Sequence, residues 1–266
     1  MHVVRCFDDE NVIHVEGNVN PKRDIETIDL ELILADMESV DKRSDRTAKL
    51  LKMGDKKAQG EISLIERLKE AFNQGKGARS LTYTEEEREL LKGFPLLTLK
   101  PVLYVANVSE EGLSVATDNP YVQQVMSIAS EEGAEAVVVC AQIEAEIAEL
   151  EDEEKEVFLQ DLGLKESGLD QLIRVAFDLL GLMTFFTAGP MEVKAWTIYQ
   201  GTKAPRAAGV IHTDFEHGFI RAEVVSYKDF VENNGLNGAR DKGLVRLEGK
   251  EYVMQNGDIV HFRFNV

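Results

Sequence analysis

The sequence predicts an α/β protein with a parallel-sheet domain that is interrupted by a helical hairpin and followed by a small α+β domain. In residues 1–24 and 99–181, apolar runs of strand length alternate with amphipathic helices. Long stretches of helical periodicity fill residues 25–98, and short alternating strands separated by turn residues fill residues 183–266. Strands that alternate with helices indicate βαβ crossovers, and therefore a parallel sheet. These three zones are the predicted domains.

The first domain begins with a strand, His2–Phe7, that is followed at once by the acidic turn Asp8-Asp9-Glu10. The later elements are predicted as strand Val102–Ala106, helix Pro120–Glu132, strand Ala136–Ala141, acidic helix Glu144–Phe158 and helix Gly168–Leu180. Val102–Ala106 and Ala136–Ala141 are short, continuously apolar runs, which are typical of strands buried on both faces of a parallel sheet. His2–Phe7 also has the character of a buried strand.

The middle zone has apolar residues at helical spacing from Asp24 to about Met53 and again from about Lys56 to Phe72. Two amphipathic helices separated by the short break at Gly54-Asp55 predict an antiparallel hairpin. A third helix is expected from Thr84 to Leu91, because Thr84 and Glu87 have the spacing of a capping box.

The last zone is predicted to contain short strands of alternating polarity separated by turn residues, which indicate a small α+β domain. The strands are Val193–Tyr199, Val210–Ile211, Ala222–Val225 and Ile259–Phe264.

Composition limits the classes of protein that are compatible with the chain. Hydrophobic residues make up 44% of it and the formal net charge is -18, so a sizeable core is expected but nonspecific binding of DNA is not. Cys6 and Cys140 lie in apolar runs and are predicted to be buried free thiols. No stretch has the length of a membrane span. We therefore expect a soluble cytoplasmic protein with no membrane partner.

The strand Val102–Ala106 ends in Asn107-Val108-Ser109-Glu110. In GTP-binding domains this place holds Asn-Lys-x-Asp, which reads guanine. Asn107 remains suited to hydrogen bonds with N6 and N7 of adenine. Glu110 replaces the Asp of that motif and moves the carboxylate by about one methylene. Val108 replaces the Lys and offers only a small apolar contact. The motif therefore favours ATP over GTP. The alternative, that Asn107 only caps a turn after the strand, stays open at this point.

Four motifs together resemble the Obg-like ATPases, the YchF family: HVVRCFDD with VIHVEGNVNP, LTLKPVLYVANVSE, TAGPMEVKAWTI and AAGVIHTDFEHGFIRAEV. The resemblance implies a P-loop-type G domain that binds ATP, an inserted coiled-coil hairpin and a C-terminal TGS domain of β-grasp type. It implies base contacts from Asn107, Val108 and Glu110 and from the loop that contains Ala141 and Gln142. It also implies that His14 orients a water molecule. The binding partner that it implies is the ribosome (large subunit) or another RNA-containing assembly.

Each implied role has a plainer alternative. Ala141-Gln142 could be an ordinary strand-to-helix turn, and His14 an ordinary loop histidine. A basic surface from Lys194, Lys203, Arg206, Arg221 and Lys228 could consist of separately solvated charges.

A phosphate-binding loop, G-x-x-x-x-G-K-[ST], does not occur in these 266 residues, because Gly75-Lys76 and Gly249-Lys250 are followed by Gly77 and Glu251. We therefore expect a family member without its first ~100 residues, which binds ATP weakly and does not hydrolyse it. Mg²⁺ is expected only together with that portion, and no metal ligands are assigned here. A non-enzymatic interaction module, hairpin plus TGS domain, is the alternative function.

Overall fold

The computed structural model describes residues 1–189 and 192–265. Contacts between Cα atoms divide the chain into two compact units, Met1–Ile173 and Arg174–Val266. The boundaries predicted near residues 24, 98 and 182 differ from this division and stay predictions. The predicted fold class is confirmed, because the first unit contains a parallel sheet and the second a mixed sheet.

The sheet of the first unit has three parallel strands in the order β1-β2-β3, formed by β1 (His2–Arg5), β2 (Leu103–Asn107) and β3 (Glu135–Val139). In the register, Val4 of β1 lies opposite Ala106 of β2, and Val105 of β2 lies opposite Val137 of β3. The central strand is buried from Leu103 to Ala106, which explains its continuous apolar run. The predicted strands of this domain are confirmed to within two residues at each end.

The helical hairpin lies between β1 and β2 in the chain and consists of α1 (Pro21–Lys52) and α2 (Lys56–Asn73), followed by α3 (Glu85–Leu91). Asn20 caps α1 by accepting the Arg23 N–H, and Pro21 occupies the first helical position. At 32 residues, α1 is about 48 Å long. Apolar residues of both long helices form one core, and the capping box of Thr84 and Glu87 is confirmed.

The remaining helices before the second sheet are α4 (Glu110–Leu113), α5 (Pro120–Glu132), α6 (Ala141–Ala148), α7 (Asp152–Asp161) and α8 (Gly168–Leu179), and the division between the two units falls within α8. The prediction of one acidic helix from Glu144 to Phe158 is wrong, because the segment is divided between α6 and α7. The Glu154 side chain accepts the Glu151 N–H over 3.1 Å, and the backbone carbonyl of Glu151 accepts the Glu154 N–H over 3.0 Å. This capping box begins a new helix and so ends the continuous one.

The second unit contains a five-stranded sheet in the order β5-β4-β8-β6-β7. Its elements are β4 (Leu182–Ala188), β5 (Val193–Tyr199), α9 (Ala204–Ile211), α10 (Thr213–His217), β6 (Phe219–Ser226), α11 (Tyr227–Glu232), α12 (Leu236–Asp241), β7 (Arg246–Glu248) and β8 (Asp258–Phe264). The first and last strands of the unit, β4 and β8, lie side by side and parallel, and the other pairs are antiparallel. This strand order is the β-grasp arrangement, as predicted.

Two predictions in this unit are wrong. Val210–Ile211, predicted as a strand, is the end of α9, where Ala204, Ala207 and Ala208 form a buried helical stripe. Strand β4 was not predicted, because its uninterrupted run LMTFFTA lacks the alternation that marks a half-buried strand. Pro190 and Met191 of the motif TAGPMEVKAWTI, and Val266, lie outside the described residues.

The two cysteines are buried and free, as predicted. Cys6 has no exposed surface, and this burial raises the pKa of its thiol to about 12. A thiol of this kind stays protonated near neutral pH and is a poor nucleophile.

Candidate functional site

The carboxyl ends of β1, β2 and β3 meet along one side of the three-stranded sheet, which we call the sheet edge. Ligands of open α/β sheets bind outside this end of the strands. Two backbone hydrogen bonds extend the ladder beyond the strands: Cys6 N–H donates to Asn107 O over 2.8 Å, and Val108 N–H donates to Val139 O over 2.9 Å. The loops that leave the three strands are therefore held in register.

Asn107 joins the loops that follow β2 and β3. Its Oδ1 accepts the backbone N–H of Ala141, the first residue of α6, over 3.0 Å. The N-cap residue of α6 is Cys140, whose side chain makes no capping hydrogen bond. Asn107 therefore supplies from another strand the acceptor that a helix start requires. Within the described part of the chain, no hydrogen bond occupies its Nδ2 donors, which stay available to a ligand.

Glu110 and Gln142 are the exposed polar groups beside this junction. Glu110 is the first residue of α4, where Ser109 caps the helix by accepting the Gly112 N–H over 3.2 Å. In residues 1–189 and 192–265, the carboxylate of Glu110 has neither an ion pair nor a hydrogen bond. Glu110 therefore presents an unpaired carboxylate to solvent from the capped first turn of α4, three residues after Asn107.

Val108 lies between these two polar residues but is only 2% exposed and belongs to the core cluster beneath α5. The apolar contact that was predicted between Val108 and a base is therefore not offered by its buried side chain. The backbone of Val108 contributes instead, through its bond to β3. Of the predicted base-contacting residues, the structure joins Asn107 to Ala141 by a hydrogen bond, and Glu110 and Gln142 lie in the first turns of α4 and α6. Their contact with a base stays a prediction.

His14 lies in the loop between β1 and α1, where both of its ring nitrogens are occupied. Nε2 is 3.0 Å from Asp24 Oδ2, and Nδ1 accepts the backbone N–H of Glu16 over 3.1 Å. Arg23 holds the other oxygen of Asp24. His14 is thus attached to the first turn of α1, and in this arrangement neither nitrogen is free to orient a water molecule.

Two residues that the sequence reasoning missed organise the loop after β1. The guanidinium of Arg5 donates to the carbonyls of Phe7, Val12 and Asp9. Asn119 caps α5 and donates through Nδ2 to the Cys6 carbonyl over 3.0 Å. The dipeptide Asn-Pro at a helix start is a signal that could have identified Asn119, whereas nothing in the pattern around Arg5 marks its role.

The basic surface that was considered for the second unit is mostly neutralised. Ion pairs join Lys203 to Glu251, Arg206 to Glu216 and Lys228 to Glu232, and Lys194 lies over the Trp196 ring. Within the described residues only Arg221 of this set has no such partner. A different arginine pair, Arg240 and Arg263, converges on Glu223.

Neither a membrane span nor a metal cluster is found in the parts of the chain that the structure describes. No described helix is both long and apolar enough to cross a membrane. No group of three or more His, Cys, Asp or Glu side chains is arranged to hold a metal ion.

The parallel sheet with its polar edge, the inserted hairpin and the β-grasp unit define an α/β protein of the nucleotide-binding class. A family model, YchF-GTPase_C, described as "Protein of unknown function (DUF933)", matches residues 182–265. Over 265 residues the chain is 58% identical to the "Ribosome-binding ATPase YchF" of Bacillus subtilis (strain 168), which covers all of this chain and 72% of that protein. The protein of the same name from Escherichia coli O157:H7 is 48% identical over the same shares. The chain therefore belongs to the YchF family.

Solved structures agree with this assignment. The chain is similar to the "Structure of the Schizosaccharomyces pombe YchF GTPase" with a TM-score of 0.83 and 35% identity, over 98% of this chain and 71% of that one. A GTP-binding protein from Pyrococcus horikoshii OT3 matches with a TM-score of 0.59 at 19% identity, over 100% of this chain and 78% of that one. The second likeness shows the fold alone.

Proposed function

We propose that this chain supplies the base-reading part of an ATP site and associates with ribosomes, as the names of its relatives state for those proteins. The observation that carries the first half is the bond between Asn107 Oδ1 and the Ala141 N–H. It fixes two loops at the sheet edge while leaving the Asn107 amide donors and the Glu110 carboxylate open to a ligand.

Hydrogen-bond chemistry supports ATP over GTP. The Nδ2 donors of Asn107 suit purine N7, and Oδ1 keeps a second lone pair that can accept from the N6 amine of adenine. A carboxylate directly opposite adenine N1 would face a lone pair. Glu110 is exposed and unpaired, so it can turn away from that position. The proposed preference for ATP therefore rests on Asn107. The carboxylate of Glu110 does not have to occupy the position from which Asp reads guanine in GTP-binding domains.

The 266 residues provide no G-x-x-x-x-G-K-[ST] segment to hold phosphates or the hydroxyl ligand of Mg²⁺. We propose that this chain binds ATP weakly, with a dissociation constant on the order of 1 mM, which corresponds to about 4 kcal/mol, and that it does not hydrolyse ATP. His14 could orient a water molecule only after its Nε2 leaves Asp24. We propose that Mg²⁺ binds together with the ATP phosphates and not to side chains of these 266 residues.

The names of the relatives support a ribosomal partner, and a contact with the large subunit is part of the proposal. The β-grasp unit would be a TGS domain, and a ribosome-associated role places the protein in the cytoplasm. An alternative function, a non-enzymatic interaction module, is favoured by the lack of a phosphate loop in these residues.

The base preference can be tested by competition of ATP and GTP against a fluorescent ATP analogue. We expect ATP to compete better than GTP. Asn107→Ala should lower the affinity for ATP at least 10-fold, and Glu110→Asp should raise the affinity for GTP relative to that for ATP. Asn237→Ala, an exposed asparagine in the second unit, is the matched control and should match the wild type. Equal competition by ATP and GTP, unchanged in every variant, would contradict the proposed site.

The interaction-module alternative is separated by sedimentation with ribosomes in the presence and absence of ATP. If the chain cosediments equally in both conditions and binds no ATP analogue, the module describes this chain and the base site is wrong. If ATP changes the amount that cosediments, and Asn107→Ala removes that change, the nucleotide site is coupled to ribosome binding.

A further inference from the structure

The end of the helical hairpin has a charge opposite to that of the rest of the chain. We call residues 42–57 the hairpin tip. It holds seven of the 30 Lys and Arg residues and two of the 48 acids, so it carries a formal charge of +5 while the remainder carries -23. The seven basic residues are Lys42, Arg43, Arg46, Lys49, Lys52, Lys56 and Lys57.

Among the six of these residues whose side chains the structure describes, two are in ion pairs. Lys42 pairs with Glu38, and Arg43 pairs with Glu61. The side chains of Arg46, Lys49, Lys52 and Lys57 are exposed, and none has an ion pair among residues 1–189 and 192–265. Helical spacing places Arg46, Lys49 and Met53 on one side of the end of α1, away from the buried Val40 and Thr47.

Helix stability explains part of this charge but not all of it. Lys49 and Lys52 lie in the last turn of α1, where the helix dipole favours positive charge. Lys57 occupies the second position of α2, whose first turn contains no acid. Positive charge is disfavoured at a helix amino terminus. Lys57 therefore acts against the stability of α2, which points to a role outside the hairpin.

A partly buried polar network joins the two helices next to the tip. Arg43 Nε donates to Glu61 Oε1 over 2.5 Å, and Arg43 Nη2 donates to Glu61 Oε2 over 3.0 Å. Thr47 Oγ1 donates to the same carboxylate over 2.5 Å, and the Glu61 side chain is only 12% exposed. Two points of α1 are thereby fixed to α2 just below the exposed charges.

The tip also exposes apolar surface, because Met53 is 82% and Leu50 is 46% exposed. No aromatic residue occurs in residues 42–57, so the tip has no platform on which a base could stack. Unpaired Lys and Arg side chains without such a platform suit contacts with phosphates, which are independent of sequence.

We infer that the hairpin tip binds the phosphate backbone of RNA, and that it is the part of this chain that contacts ribosomal RNA. The inference rests on the proposed ribosome association and is independent of the nucleotide site. It names Arg46 and Lys57 as phosphate-contacting residues and Met53 as an apolar contact beside them.

The test compares Arg46→Glu/Lys57→Glu with Lys22→Glu/Lys92→Glu. The control makes the same change in charge at exposed residues of the same unit that lie outside the tip. Both are measured without nucleotide, by sedimentation with salt-washed ribosomes and by fluorescence anisotropy with a labelled 20-nucleotide RNA. We expect the tip variant to bind RNA at least 10-fold more weakly at 0.1 M salt, and the control to stay within 2-fold of the wild type.

Two further measurements exclude a simple folding effect. The salt slope of log K should become less negative by about 1 to 2 in the tip variant, because each lost phosphate contact removes about 0.7 to 0.9. Lys57→Glu alone should unfold at the same temperature as the wild type or at a higher one, yet bind RNA more weakly.

Equal RNA binding by the tip variant and the control would overturn the inference. It would also be overturned if the tip variant no longer cosedimented with ribosomes while the wild type bound no free RNA. The hairpin tip would then bind an acidic ribosomal protein instead of RNA. Either result leaves the competition between ATP and GTP unaffected, so a failure here differs from a failure of the proposed base site.

Discussion

Two carboxylates of the first unit, Asp36 in the hairpin and Glu110 at the sheet edge, have opposite surroundings. Asp36 is 1% exposed and accepts hydrogen bonds from Leu97 N–H, Thr98 N–H and Thr98 Oγ1–H at 2.7 to 2.8 Å. Glu110 is exposed and has no partner in the described residues. An acid whose bonds are all made inside the fold stabilises it, whereas an acid left free on a capped helix is available to a ligand.

The largest effect is expected at Asp36. Asp36→Ala would leave the backbone N–H groups of Leu97 and Thr98 and the Thr98 hydroxyl without their acceptor, at a cost of about 3 kcal/mol in the free energy of unfolding. Urea denaturation measures this loss. Competition by ATP should be unchanged in the folded variant. A loss below 1 kcal/mol would show that the bonds seen at Asp36 do not hold the hairpin together.

A second, smaller effect is expected at Glu61, the other buried acid of the hairpin. Glu61→Gln weakens the contact with Arg43 and should lower the free energy of unfolding by about 2 kcal/mol at pH 7. The hydrogen bond from Arg43 lowers the pKa of Glu61, against the opposing effect of burial.

This effect should depend on pH with a definite sign. Since the pKa of Glu61 is lower in the folded than in the unfolded chain, its stabilisation is present above the unfolded value of about 4.3. It is lost as the pH falls through the lower folded value. The difference between wild type and Glu61→Gln should therefore narrow between pH 6 and pH 3, and a difference that is constant with pH would contradict the ion pair.

At the sheet edge we expect a small effect on stability and a large effect on nucleotide binding, the opposite of what we expect at Asp36. Asn107→Ala removes the acceptor for the Ala141 N–H and should cost about 1 kcal/mol, because water can reach this half-buried helix start. Thermal or urea unfolding measures this change. If Asn107→Ala cost as much as Asp36→Ala, Asn107 would be a structural residue like Asp36, and the difference between the two regions would disappear.

The smallest change in stability is expected for Glu110→Ala. The residue is exposed in the first turn of α4 and has no partner in the described chain, so the free energy of unfolding should change by less than about 0.5 kcal/mol. Urea unfolding measures it. A larger loss would mean that Glu110 contributes to folding, and its availability to a ligand would then need another explanation.

The sequence predicts much of the sheet edge because its signals are local. The apolar run before Asn107 and the strand before Ala141 place both residues at the carboxyl end of a parallel sheet. The bond between them was not predicted, since it depends on Cys140 failing to cap α6. The roles of Asp36 and Arg5 were also missed, because most of their partners are backbone groups that no residue type reveals. Strand β4 was missed because the run LMTFFTA does not alternate polar with apolar residues. The division between α6 and α7 was missed because it depends on hydrogen bonds between two glutamates in an acidic run.

The central claim is that the sheet edge reads a nucleotide base, and amide NMR during titration with ATP tests it directly. We predict that ATP shifts the side-chain amide signals of Asn107 and the backbone signals of Ala141 and Gln142, with half-saturation near 1 mM, and that GTP shifts them less. Shifts confined to other parts of the chain, or none at ten times that concentration, would contradict the account.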